Sequence, residues 1–248
     1  MGFDQGVLNR KMPYDSQIKA QAMATRIKTS QRIVNVSLEL FNQLGERSVS
    51  TNHIAAHMEI SPGNLYYHFP NKQAIISVLF DQHETLVLSF LRLPEGRAPV
   101  VNDKRFFLQH LLDAMWHYRF LYRDIEHLLH SDSELALRYR HFSKQCLARA
   151  QAIYTGFVEV GILNMSPMQI ESLVLNAWII ITSWVGFLCT TSENSEHLSE
   201  LAIKRGIYQL LMLQVGFVTD LAREEVDKII QEYYVPLDTA LDTALDKH

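Results

Sequence analysis

The chain has 248 residues, 48% of them apolar, a formal net charge of −4 and only two cysteines, Cys146 and Cys189. That is enough apolar material for a good core in one or two domains, and it excludes a disulfide scaffold and a protein whose whole surface binds polyanions. The charge is unevenly spread: residues 1–80 carry eight Lys/Arg against five Asp/Glu, a net of +3, which leaves −7 for the rest. A mildly basic head on an acidic body suits a DNA reader whose body stays off the phosphates. The widely separated cysteines and the absence of an apolar segment in residues 1–25 lead us to expect a cytoplasmic protein without a signal peptide.

Residues 1–24 are polar and aperiodic, with Pro13 among them, and are expected to form a disordered arm. Arg26 and Lys28 follow, placed to reach a phosphate or the minor groove. A first helix is predicted from a Thr29 or Ser30 cap to about Leu44, with the stripe Ile33, Val36, Leu40, Phe41 and Leu44 and Gly45 as its stop. The stretch Ser50–Lys72 then reads as two short helices joined by a tight turn. The first starts at Ser50 or Thr51 and buries Ile54, Ala55 and Met58 at helical spacing. The second has a Ser61 cap with Pro62 at the first helical position, where its missing N–H costs nothing. Leu65 and Phe69 point inward; Ser61, Gly63, Asn64, Tyr66, Tyr67 and His68 point outward. Helix, turn, helix with a small polar outer face is a unit that sets its second helix into the major groove.

At these residues the chain resembles the TetR family of bacterial repressors. Ile60-Ser61-Pro62-Gly63-Asn64-Leu65-Tyr66-Tyr67-His68-Phe69 and Asn71-Lys72 are similar to that family's recognition helix and following turn, and the likeness is specific over about 33–80. The resemblance implies an all-α homodimer with an N-terminal helix-turn-helix head (residues 25–80) and a larger C-terminal helical body for ligand binding and dimerisation (residues 81–235). It places the contacts to a double-stranded operator on Thr51, Ser61, Gly63, Asn64, Tyr66, Tyr67, His68 and Lys72. Two departures stand out. Pro62 replaces a longer polar residue, and the turn has Glu59 where glycine is common, so a left-handed backbone there would cost roughly 1 kcal/mol.

Asn71 is expected to cap a fourth helix reaching to about Leu91, too long for the head alone and suited to join head and body. Leu93-Pro94-Glu95-Gly96-Arg97-Ala98-Pro99 breaks the chain. Residues 103–129 read as one or two aromatic-rich helices, and Ser131-Asp132-Ser133-Glu134 opens a long helix ending near Gly161. By the resemblance, Tyr122-Arg123-Asp124 and Arg138-Tyr139 fall where one branch of the family has similar residues. Ser166-Pro167 opens an apolar helix to about Cys189. Its uncharged run of 21 residues, Ser172–Ser192, is long enough to span a bilayer. Internal Asn176, Thr182 and Ser183, acidic flanks and the lack of a second span argue against a membrane. Its two apolar stripes, Leu173/Ala177/Ile180/Trp184/Phe187 and Val174/Trp178/Ile181/Val185/Cys189, need cover on both sides. With a following helix over about 196–218, where Gly206 permits close approach, it could form a four-helix dimer interface. Residues 236–248 repeat Leu-Asp-Thr-Ala and read as a frayed tail.

The remaining constellations carry less. His53 and His57 stand four apart, but without a third ligand nearby, and His127, His130 and Asp124 share a face. No metal or cofactor is expected, and no phosphate loop, nucleophile elbow or carboxylate pair supports an enzyme. Trp116, Tyr118, Phe120, Tyr122, His141, Phe142, Trp178 and Trp184 are more aromatic side chains than a small core needs, and suggest a pocket for a small apolar or amphipathic ligand. The leading expectation is a ligand-responsive repressor. The alternative is a DNA-binding regulator without a small-molecule ligand, switched by a protein partner.

Overall fold

The computed structural model describes residues 14–191 and 198–242, with side chains from residue 29 to 241. Its elements are helices: α1 (Tyr14–Leu44), α2 (Thr51–His57), α3 (Pro62–His68) and α4 (Lys72–Phe90) come first. The body follows with α5 (Val101–His117), α6 (Arg119–Ser131), α7 (Ser133–Glu159), α8 (Pro167–Thr191), α9 (Glu200–Gln214), α10 (Arg223–Tyr233) and α11 (Leu237–Asp242). Single 3₁₀ turns lie at Glu46–Ser48 and Val215–Phe217, and an isolated antiparallel bridge joins Leu163 to Val218.

Three boundaries differ from the sequence expectation. α1 begins at Tyr14 and not at the Thr29 or Ser30 cap, so residues 14–24 are helical where a disordered arm was expected; residues 1–13 lie outside the described ones. Gln17, Lys19, Ala20, Gln21, Ala22 and Ala24 are good helix formers, and no Gly or Pro interrupts them before Thr29. α9 starts at a Ser199 cap, whose hydroxyl accepts from the Ala202 N–H at 3.1 Å, and ends at Gln214 because the chain tightens into the second 3₁₀ turn. The tail is not frayed throughout. Leu237–Asp242 forms α11, with Ala240 buried and the helix packed on α9.

Two hydrophobic clusters make the core. One runs from the head (Ile33, Phe41, Ile54, Leu65) through α4 (Ile75, Leu79, Phe80) to Phe120, Leu128, Phe142 and Cys146 in the body. The apolar interior is therefore continuous across residue 80, and Phe41 of α1 lies against Phe120 of α6 with ring centroids 5.3 Å apart. The other cluster joins α5, α7, α8, α9 and α10 around Leu112, Met115, Phe157, Ile203, Ile207 and Leu211.

By length and composition α8 could cross a membrane; in the fold it packs on α6, α7 and α9. Ile170, Leu173, Val174, Val185 and Leu188 are buried, whereas Met168, Leu175, Ile179 and Phe187 form an exposed stripe at helical spacing. Phe187, read from the sequence as part of an apolar stripe with Trp184, thus faces outward beside Leu175, which lay on neither stripe. Gly206 of α9 does allow close approach, but to Trp184 of α8 in the same chain: a Cβ there would lie 2.5 Å from the indole Cδ1. The indole is fixed by its N–H, which donates to the Ala202 carbonyl at 2.8 Å. Gly206→Ala is expected to destabilise the protein by about 1–3 kcal/mol through overpacking, measured by urea unfolding. Adding Trp184→Leu should recover most of that loss; equal instability of the double variant would show that the indole is not the obstacle.

Candidate nucleic-acid interface and body cavity

Helices need their ends satisfied, and α2, α3 and α4 each start at a side-chain cap. Ser50 Oγ accepts from the His53 N–H (3.1 Å), Ser61 Oγ from the Asn64 N–H (3.1 Å) and Asn71 Oδ1 from the Ala74 N–H (2.8 Å). α2 ends in a Schellman turn. The Ile60 N–H donates to the Ala55 carbonyl at 3.0 Å and the Glu59 N–H to the Ala56 carbonyl at 3.1 Å, with Glu59 at φ 55°. The expected left-handed residue is therefore present, and a glutamate occupies it. The turn is set by the burial of Met58 and Leu65 on either side.

The outer face of α3 presents Ser61, Pro62, Gly63 and Asn64 exposed, then Tyr66 and Tyr67, the latter 64% exposed. Gly63 has no neighbouring element close to it, so a side chain would fit there and its absence leaves the backbone open to a flat partner. Thr51 Oγ1 lies 2.9 Å from the Tyr66 hydroxyl, which ties the start of α2 to the end of α3. His68 is half-buried and meets the Tyr67 ring edge-on at 5.4 Å. Seven of the eight expected DNA contacts thus share one face or its border.

Lys72 is the exception. Its ammonium pairs with Glu46 Oε1 at 2.6 Å and donates to the Glu46 and Val49 carbonyls, each at 3.0 Å. Three acceptors use the three ammonium protons, so in this geometry Lys72 positions the start of α2 and does not offer a hand to a phosphate. Arg47, which the sequence reading did not single out, is exposed beside it at the same cleft. As a lone arginine in a tight turn it has no periodic signal.

Glu46, 3% exposed, is the centre of a joint between head and body. Asp124 Oδ2 of α6 accepts from the Glu46 N–H at 3.2 Å, and His127 Nε2 lies 3.7 Å from Glu46 Oε2. The Arg123 guanidinium donates to the Phe41 carbonyl and to Asp124. Asn42 of α1 closes the contact, donating to the His117 carbonyl at 2.8 Å and accepting from the Phe120 N–H at 3.1 Å. His127 and Asp124 of the histidine face thus belong to this joint.

Above the joint, a cavity of about 150 Å³ lies on the seam between the two hydrophobic clusters. Of the residues expected to line a pocket, Tyr122, Phe142 and Trp178 do so. Trp116, Tyr118, Phe120, His141 and Trp184 do not line it. Phe120 fills the head–body contact, Trp116 stacks under Arg119 (4.2 Å), His141 is on the surface, Trp184 lies against Gly206, and Tyr118 packs edge-on to His83. Helical periodicity marks an inward face but not which of two inward neighbours it meets. Three buried polar residues in the lining were missed: His83, Lys104 and Gln214. Burial pushes the His83 imidazole down to about 3 and the Lys104 ammonium down to about 7. The same cause pushes the Tyr139, Tyr154 and Cys146 groups up to about 12 and Tyr122 higher still, so these stay protonated. A lysine and a histidine inside apolar helices would have stood out as breaks in the stripes of α5 and α4.

Comparison with known proteins gives a consistent picture. Residues 33–79 match the family model described as bacterial regulatory proteins, tetR family, and residues 82–226 match that described as bacterial transcriptional repressor (TetR). The chain is 38% identical over 200 residues to the HTH-type transcriptional regulator UidR of Escherichia coli K12, covering 80% of this chain and 84% of UidR. The crystal structure of a TetR-family transcriptional regulator from Marinobacter aquaeolei VT8 is 42% identical, with a TM-score of 0.77 over 84% of this chain and 99% of that one. A TetR-family regulator from Pectobacterium atrosepticum, 15% identical with a TM-score of 0.52 over 79% of this chain and 97% of its own, shares the fold.

The Glu46 joint has a measurable weight. Lys72→Met is expected to destabilise the protein by about 2–4 kcal/mol, because it strands a buried carboxylate. Adding Glu46→Gln should restore most of the loss in urea unfolding. If the two substitutions simply add, the pair is not coupled as drawn.

Proposed function

The chain belongs to the TetR family of bacterial regulatory proteins, and from that premise we propose that it is a cytoplasmic, homodimeric repressor. A small apolar or amphipathic molecule in the body cavity releases it from a palindromic operator. One observation carries this reading: the same two helices build both the head joint and the cavity wall. Lys72, Ile75 and Ile76 at the start of α4 pack in the head, while Phe80, His83, Val87 and Phe90 further along line the cavity. In α6, Arg123 and Asp124 hold the head, while Leu121, Tyr122 and Ile125 line the cavity. A molecule that spreads these walls moves both points at which the head is held.

The exposed stripe of α8, Met168, Leu175, Ile179 and Phe187, supports a two-fold pairing of chains. Such a dimer sets two α3 helices on successive major-groove faces, about 34–36 Å apart. A ligand that prefers the splayed state by roughly 10⁴-fold, about 5.5 kcal/mol, would move a 1:99 balance to 99:1. By linkage the operator then weakens ligand binding by the same factor as the ligand weakens operator binding. In the head, Ser61, Gly63, Asn64, Tyr66 and Tyr67 form the DNA face, with Thr51 orienting Tyr66, His68 at its border and Arg47 on a phosphate.

Two measurements test the halves separately. Asn64→Ala should lose about 1–3 kcal/mol on the best site and relax base preference there, whereas Arg47→Ala should weaken all sequences alike and lower the salt slope by about 1. Band shifts across salt concentrations distinguish them, and an unchanged slope for Arg47→Ala removes its phosphate role. For the body, Ala177→Phe fills the cavity wall and should raise the inducer concentration that releases DNA by at least about tenfold. Release at the unaltered concentration would move the switch out of this cavity.

A further inference from the structure

The cavity wall is apolar except at a few points, and one of these is a charge. Lys104 is 4% exposed, on the inner face of α5. Its ammonium donates to Gln214 Oε1 at 2.5 Å and lies 4.1 Å over the Phe157 ring and 5.4 Å over the Tyr154 ring. Gln214 is itself buried and lines the same cavity. Among the described residues Lys104 enters no ion pair, and the protein gives it one neutral oxygen for three protons. A buried ammonium is ordinarily paired with an anion, because its desolvation is otherwise uncompensated. Here that desolvation lowers its proton affinity to about 7. The aromatic faces soften the cost without cancelling the charge.

A second polar residue, His83, lines the same space from the other cluster. His83 Nε2 lies 2.9 Å from the Tyr122 hydroxyl, while Nδ1 is buried without a hydrogen-bond partner. Burial holds this imidazole neutral, so it adds no second charge to the wall. Phe80, Tyr118 and Phe142 pack around it. The cavity thus has one cationic point near Phe157 and Gln214, one neutral polar point near Phe142, and apolar walls between them.

We infer that the molecule taken up by this cavity is a small monocarboxylate, its carboxylate on Lys104 and Gln214 and its apolar body along the seam between the clusters. A space of about 150 Å³ accepts a body of benzene size, or a flexible chain of about six to eight carbons. The carboxylate gives Lys104 the charged hydrogen bond that the protein does not, while the Gln214 side-chain amide, whose oxygen already accepts from the lysine, can turn its N–H₂ toward the second carboxylate oxygen. This assignment rests on the reading of the cavity as the regulatory ligand site.

The test uses octanoate and octan-1-ol, equal in chain length and differing in charge, titrated into the full chain by calorimetry. Octanoate should bind at least about tenfold more tightly than the alcohol, the scale of one charged hydrogen bond. Lys104→Met, which replaces the ammonium by a volume-matched apolar side chain, should remove or reverse that preference. Alcohol binding as tight as octanoate in the wild type overturns the anion assignment while leaving a ligand cavity in place. A preference for octanoate that survives in Lys104→Met overturns the role of this lysine. Binding of neither probe, by protein that still shifts operator DNA, overturns the ligand reading itself and the carboxylate assignment with it.

Discussion

A carboxylate almost without solvent has to be answered by a cation, and in this protein that demand falls on Glu46. Lys72 answers it, and in doing so anchors the first turn of α4 to the segment that caps α2. The backbone of the same glutamate donates to Asp124, so the first turn of α4, the loop before α2 and the middle of α6 converge on one residue. Removing one charge of such a pair costs more than removing both, because the cost lies in the stranded group. The orientation of the recognition helix is therefore secured from behind, by groups that need never touch DNA.

From that joint the two helices diverge and enclose the cavity. α4 is gripped along its length by α7. Arg138 donates to Ser77 (3.0 Å), Asp81 (3.1 Å) and Glu84 (3.3 Å), and Arg149 bonds the Leu88 carbonyl near the helix end. These contacts hold the outer side of α4 while Phe80, His83 and Val87 line the cavity. α6 is arranged likewise, with Tyr122 and Ile125 toward the cavity and Asp124 toward the head. Packed helices of this kind shift as bodies and do not deform locally.

The head was legible in the sequence because its signals are local. Ser50, Ser61 and Asn71 cap helices within three residues of their own positions, and the inward spacing of Ile54, Met58, Leu65 and Phe69 follows one helical period. The body was legible as helices but not as a site. Trp184 and Trp178 look alike in sequence; one meets a glycine on α9 and the other a cavity, and only the crossing of α8 over its neighbours decides which. Lys72 shows the converse. A lysine at the start of a helix beside a DNA face reads as a phosphate contact, until the buried partner 26 residues earlier in the chain is seen.

The left-handed Glu59 has a consequence for how the head comes into being. α2 and α3 are seven residues each, well below the length of about 12–15 at which an isolated helix holds in water. The turn between them passes through a residue that disfavours its own conformation, since left-handed backbone costs Glu59 about 1–2 kcal/mol. Neither helix nor turn can therefore serve as a local nucleus. Ile54 and Leu65 must already be docked against Ile33 and Phe41 of α1 and Ile75 of α4 before the chain reverses between them. The DNA-reading unit accordingly depends for its form on the packing that α1 and the start of α4 give it.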